Sequence, residues 1–198
     1  MKALILVDIQ NDFVPGGALA VKDGDQIIPF VNELQKDFEL IVATQDFHPA
    51  DHGSFAANHP TGKAGEIIDL HGLDQVLWPV HCVQGKPGAD FVASLDMSRV
   101  KKIFPKGTDP KIDSYSGFFD NGKRKSTGLS DYLRAEGVKE VHVVGLAADY
   151  CVKFTALDAK SEGFHTSVYK EGTKGVNLQA EDTQKSFEEM KKAGIVLI

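Results

Sequence analysis

Three side chains able to move a proton or attack a carbonyl each follow a short apolar run. Asp8 comes after Leu4-Ile5-Leu6-Val7, and Lys106 after Ile103-Phe104-Pro105. Cys151 comes after Val141-His142-Val143-Val144 and the small-residue turn Gly145-Leu146-Ala147-Ala148. A carboxylate at the end of a buried strand has its pKa raised by desolvation and suits proton transfer. An ammonium near a thiol favours the thiolate and holds a neighbouring carboxylate. Cys151 falls in the first turn of a helix predicted to start near Asp149, where the partial positive charge of a helix N-terminus favours a thiolate. The backbone N–H groups of the preceding turn could converge on an oxyanion. Each residue alone also fits a plain reading: a strand-end acid, a solvated lysine, a buried packing cysteine. An acid, an ammonium and a thiol on one rim favour catalysis.

A second constellation has metal-ligand character. Asp46-Phe47-His48 places a carboxylate and an imidazole at i and i+2, on one side of an extended strand end. His52 follows within reach, and His81 arrives in Trp78-Pro79-Val80-His81. One carboxylate with two or three imidazoles suits Zn²⁺, Mn²⁺ or Fe²⁺. Cys82 adjoins His81, but neighbours on an extended chain point opposite ways, so the two would rarely share one ion. His59 and His71 read as loop histidines, and His142 and His165 as strand histidines. Phe13, Trp78 and Tyr115 lie in or beside the same loops. They fit either cap packing or a flat slot for an aromatic ligand.

Positioning these groups is the work of alternating strands and helices. Strands are predicted at Ala3–Ile9, Leu40–Thr44, Val100–Phe104, Val141–Val144, His165–Tyr169 and Ile195–Ile198. Helices are predicted near 25–38, 127–135, 149–161 and 180–192, the first capped by Asp25. Such alternation implies an α/β chain: a three-layer αβα sandwich around a doubly wound, mostly parallel sheet of about six strands. Ligands bind such sheets at the carboxyl ends of the strands, just where Asp8, Asp46, Lys106 and the loop before Cys151 are expected. Residues 46–98 are rich in His, Pro and Gly and poor in period, a long excursion within a single domain spanning 1–198.

The formal net charge of −6 over 198 residues argues against nucleic acid or an anionic membrane surface as a partner. No apolar run reaches the roughly 20 residues needed to span a bilayer. The opening MKALILVDIQ reads as a strand rather than a leader, and two cysteines point to a reducing cytoplasm. A homo-oligomer is compatible with the sequence.

Five ordered segments resemble the nicotinamidases, also called pyrazinamidases, of the isochorismatase-like cysteine hydrolases. They are ALILVDIQNDFVPGGAL, TQDFHPADHGSFA, LWPVHCVQGKPGA, IFPKGTDPKIDSYSGFFDN and GLAADYCVKFTALDA, and the resemblance covers almost the whole chain. The resemblance implies a catalytic set of Asp8, Lys106 and Cys151, and a divalent metal, Zn²⁺ first among candidates, on Asp46, His48 and His81. It leaves His52 as either a fourth ligand or a partner of metal-bound water. It further implies an aromatic slot from Phe13, Trp78 and Tyr115, and an oxyanion hole from the backbone N–H groups of Ala147 and Cys151 across a cis Leu146–Ala147 peptide. The implied activity is hydrolysis of nicotinamide, and of pyrazinamide, to the acid and ammonia through a thioester in NAD salvage. The other reading of the same machinery is an amidase for another small carboxamide or an N-carbamoyl compound.

Overall fold

The computed structural model describes all 198 residues. Its central sheet contains β1 (Lys2–Val7), β2 (Leu40–Asp46), β5 (Lys102–Lys106), β6 (Glu140–Leu146), β7 (His165–Lys174) and β8 (Val196–Leu197), in the spatial order β5-β2-β1-β6-β7-β8. Every neighbouring pair is parallel. The chain builds outward from β1 through β2 to β5, then returns to the other side of β1 to lay down β6, β7 and β8. The order therefore reverses between β1 and β6, and their carboxyl ends frame a crevice.

Helices cover both faces. Ala3, Ile5 and Val7 of β1 pack with residues of α2 (Leu129–Ala135), α3 (Lys153–Ser161) and α4 (Asp182–Lys192). Leu4 and Leu6 pack on the opposite face with Ile28, Val31 and Leu34 of α1 (Ile28–Leu34). Burial on both faces is why β1 reads as continuous apolar sequence rather than as an alternation.

Register fixes what meets at the rim. Val7 pairs with Thr44 on one side and Gly145 on the other, and Asp46 pairs with Lys106. Lys106 and Asp46 are thus the last residues of their strands rather than residues beyond them. β5 starts two residues later than the apolar pattern suggests and includes Pro105. A proline fits there because β5 is an edge strand, where its missing N–H is needed least. β7 extends to Lys174, with a bulge that shifts pairing from Val143–Val168 to Gly145–Thr173.

Three further differences from the sequence reading concern local geometry. The excursion holds an antiparallel hairpin, β3 (Ile67–Leu70) and β4 (Leu73–Val76), turning at His71 and Gly72, both with positive φ. The first helix is entered through a 3₁₀ turn, Gly24–Ile27, preceded by Asp23, and no side chain caps it. Cys151 lies not in the first turn of an α-helix but in a π-helical turn, Ala148–Val152, that precedes α3.

Gly145 shows how tight the crevice is. Its φ is +126°, and a β-carbon there would collide with the backbone of Val7. Gly145→Ala is expected to cost about 3 kcal/mol or more, since it adds both a clash and a disfavoured backbone angle. For a chain of this size that lowers the melting temperature by roughly 10 °C. A thermal unfolding midpoint within about 2 °C of wild type would contradict this reading of the β1–β6 contact.

Candidate active site

Three ionisable groups, Asp8, Asp46 and Cys151, gather around one ammonium. Lys106 is 2% exposed, and its Nζ donates to Asp46 Oδ1 at 2.8 Å, to the Ser114 carbonyl at 2.8 Å and to Cys151 Sγ at 3.4 Å. Those three bonds use all three ammonium protons. Asp8 Oδ2 is also 2.8 Å from Nζ, yet off the direction of a hydrogen bond, so this oxygen has charge contact but no directed donor. The other oxygen, Oδ1, accepts the Thr44 hydroxyl at 2.6 Å. Asp8 therefore keeps one oxygen free for a proton.

Burial sets the resting protonation pattern. It raises Asp8 above the usual carboxylate range, opposed chiefly by Lys106. Burial works against the Lys106 charge, but Asp46 and Asp8 outweigh it and hold the ammonium well above its ordinary pKa. The Cys151 thiol is pushed well up by burial, with Lys106 pulling it down and the two carboxylates pushing it up. The sequence reading expected a lowered thiol pKa. Desolvation and two nearby carboxylates override both the helix end and the lysine, so at rest this site holds a neutral thiol beside a free carboxylate oxygen.

A shared carboxylate joins this set to the histidines. Asp46 Oδ2 lies 3.2 Å from His48 Nε2 and 3.4 Å from His81 Nε2. Each ring is oriented by a backbone carbonyl at its far nitrogen, Gly107 O to His48 Nδ1 at 2.8 Å and Pro79 O to His81 Nδ1 at 2.7 Å. A carbonyl can only accept, so each Nδ1 carries hydrogen and each Nε2 is the ligand atom, as in metal-binding histidines. Gln10 holds Asp46 in place, its amide pairing with the Asp46 backbone N–H and C=O, each at 2.8 Å. A β-carbon at Gly107, where φ is +62°, would collide with the His48 ring. Burial pushes the His48 imidazole down, but the Asp46 carboxylate beside it outweighs this and holds it up at about 9. The cluster attracts positive charge, and its three converging donor atoms fit a divalent cation.

His52 is buried nearby, its ring 4.4 Å from that of His48. Its Nδ1 accepts the Ser54 N–H at 3.2 Å and contacts Ser54 Oγ at 2.7 Å, which places the ring proton on Nε2. That Nε2 has no hydrogen-bond partner, and the ring lies within reach of Asp113. Cys82 is apart from this chemistry: it is fully buried, its N–H goes to Asp12 Oδ2 at 2.7 Å, and burial pushes its thiol far up.

A pocket of about 350 Å³, mouth included, opens onto both sets. Phe13, Trp78, Tyr115, Ala147 and Cys151 line it with Asp46 and His81. Tyr115 is held by Trp78 Nε1 and Gln75 Nε2, both donating to its hydroxyl. The Leu146–Ala147 peptide is cis, and the Ala147 N–H donates to no backbone carbonyl. The sequence reading missed several members of this site: Tyr150, Leu19 and Val176 in the walls, Asp113 beside the histidines, and Thr44 and Gln10 behind the carboxylates. Tyr150 adjoins Cys151 and Gln10 lies two residues from Asp8, so proximity in sequence was a usable signal for these. Val176 had none.

Known proteins resemble this chain in sequence and in fold. A family profile described as the isochorismatase domain matches residues 2–198. The nicotinamidase of Escherichia coli (strain K12) is 47% identical, the alignment covering 99% of this chain and 93% of that one. The solved structure of an Acinetobacter baumanii nicotinamidase/pyrazinamidase superposes with a TM-score of 0.97 at 46% identity, covering 100% of this chain and 95% of the other. The pyrazinamidase of Pyrococcus horikoshii in complex with zinc superposes with a TM-score of 0.81 at 42% identity, covering 100% and 98%. Sequence and fold agree across nearly the whole length, and the chain belongs to the isochorismatase family.

Proposed function

We propose that this chain hydrolyses nicotinamide, and pyrazinamide, to the acid and ammonia, with Cys151 as a covalent nucleophile. The observation that carries the reading is a thiol, a carboxylate and an ammonium in mutual contact at a pocket that Cys151 lines together with Asp46 and His81, two of three converging metal-ligand residues. The reaction serves NAD salvage, and two free cysteines suit a reducing cytoplasm. No helix is long and apolar enough to cross a membrane.

Asp46, His48 and His81 would hold the cation, which we assign as Zn²⁺ by donor chemistry and by the zinc-bound relative. Bound there, a divalent ion supplies a Lewis-acidic position for the ring nitrogen of a pyridine carboxamide. His52 acts as a hydrogen-bond donor to water near the ion rather than as a fourth ligand, because its inward nitrogen carries the proton.

Phe13, Trp78 and Tyr115 orient the flat ring and exclude water. Asp8 Oδ2 then takes the Cys151 proton as Sγ attacks the carboxamide carbon, so the thiol stays neutral until a substrate is in place. The N–H groups of Ala147 and Cys151 receive the oxyanion. Asp8 returns its proton to the amide nitrogen, the C–N bond breaks and ammonia leaves a thioester on Cys151. Asp8 next deprotonates a water, which cleaves the C–S bond, releases the acid and restores the thiol. Lys106 favours the ionised form of Asp8 between proton transfers and stabilises the thiolate charge as it develops. Splitting the reaction in two suits an amide, whose leaving group is poor.

Ammonia release from nicotinamide tests this directly. Cys151→Ala is expected to lower kcat by several orders of magnitude with the fold retained. A rate near wild type would remove Cys151 from the mechanism. The cation is tested by elemental analysis. Wild-type chain is expected to carry one divalent ion, and His48→Ala well under one, with activity lost in parallel. Full metal content in His48→Ala would overturn the ligand assignment.

A further inference from the structure

The pocket wall formed by Val176 comes from a loop with little hold on the rest of the molecule. It links β7 to α4 across 175–181, and residues 177–181 are exposed. Within it, the Asn177 side chain accepts the Thr183 N–H at 3.0 Å and the Gln179 N–H goes to Asp182 at 2.7 Å. These bonds tie the loop only to itself and to α4. The loop has just two hydrogen bonds to any other part of the chain, and one side chain takes both. Asp149 Oδ1 accepts the Val176 N–H at 2.9 Å, and Oδ2 accepts the Asn177 N–H at 2.7 Å.

Asp149 is 3% exposed and lies in the turn that carries the nucleophile, two residues before Cys151 and beside the wall residue Tyr150. A carboxylate accepting two successive backbone N–H groups forms a pair of charge-assisted bonds, stronger than neutral ones. Close packing leaves the loop one seat, since a β-carbon at Gly175 would collide with the Thr183 side chain and meet Asp149 Cγ at 3.2 Å.

We infer that Asp149 is a positioning residue that locks the Val176 wall to the nucleophile turn, and so sets the width of the ring slot and its selectivity for unsubstituted rings. This rests on the amidohydrolase reading above. Asp149 touches neither the reacting thiol nor the oxyanion donors, so its influence falls on how tightly the ring is held. The Cys151–Asp8–Lys106 contacts do not depend on it.

The test uses Asp149→Asn, which keeps size but can accept only one of the two N–H groups and turns an N–H toward the other. Losing a charge-assisted bond is expected to raise KM for nicotinamide by about tenfold or more, with kcat changing far less. Discrimination against a ring-methylated nicotinamide should relax. Adding Val176→Ala to Asp149→Asn should cost less than Val176→Ala costs in wild type, because the wall is already loose. Hydrogen exchange supplies a readout independent of turnover: the Val176 and Asn177 amides should lose protection while the amides of the central sheet keep theirs. A drop in kcat with KM unchanged, strictly additive variants, or unchanged exchange at those amides would each overturn the proposal. Wild-type chain that releases no ammonia from nicotinamide would instead overturn the underlying reading, and the exchange result would still decide whether Asp149 holds the loop.

Discussion

One buried ammonium governs this site. Lys106 Nζ stands 2.8 Å from both Asp8 and Asp46, two carboxylates that would otherwise repel each other out of reach of water. Desolvating even one such charge costs several kcal/mol, and the mutual attraction repays this only where geometry and further hydrogen bonds are good. Ser114 O supplies the extra acceptor for the ammonium, Thr44 the extra donor for Asp8, and Gln10 the clamp on the Asp46 backbone. Two carboxylates face one ammonium, and the excess negative charge at the Asp46 end is what holds the His48 imidazole up. The cluster therefore favours positive charge at the histidines and works against a thiolate at Cys151.

The sheet makes this arrangement attainable. Reversal of strand order between β1 and β6 leaves an open seam at their carboxyl ends, bounded by Asp8 on one side and by Leu146-Ala147 on the other. Gly145 lets the two backbones approach closely, and the π-helical turn then carries Cys151 back over the seam toward Lys106. The excursion contributes from the other direction, bringing Trp78 and His81 against the same opening. The thiol-bearing and histidine-bearing halves thus meet through Lys106 and Asp46.

Much of this was legible in the chain because buried parallel strands announce themselves as apolar runs, and the residues at the carboxyl end of each run share one rim. Asp8, Lys106 and Cys151 were found that way, and Asp46 and His48 by their i, i+2 spacing. The β3–β4 hairpin was not, since its strands are four residues each and mix exposed Ile67 and Asp69 with buried Gln75. Its signal was the His71-Gly72 pair, which supplies two positive-φ residues in the manner of a tight hairpin turn. The direction of the Cys151 shift was misjudged because local sequence shows a helix start but not how deeply the thiol is buried or that two carboxylates face it. Val176 and its anchor Asp149 lie 27 residues apart, and such a contact exists only once the fold is made.

The proposed chemistry turns on a proton passing from Cys151 to Asp8 as sulfur takes the acyl group. The most direct measurement is a single-turnover reaction of nicotinamide with excess protein, quenched in acid through its time course and mapped by mass spectrometry. A nicotinoyl group is expected to rise and decay on the peptide bearing Cys151. An acyl group on another residue, or an unmodified Cys151 peptide throughout the appearance of product, would contradict this mechanism.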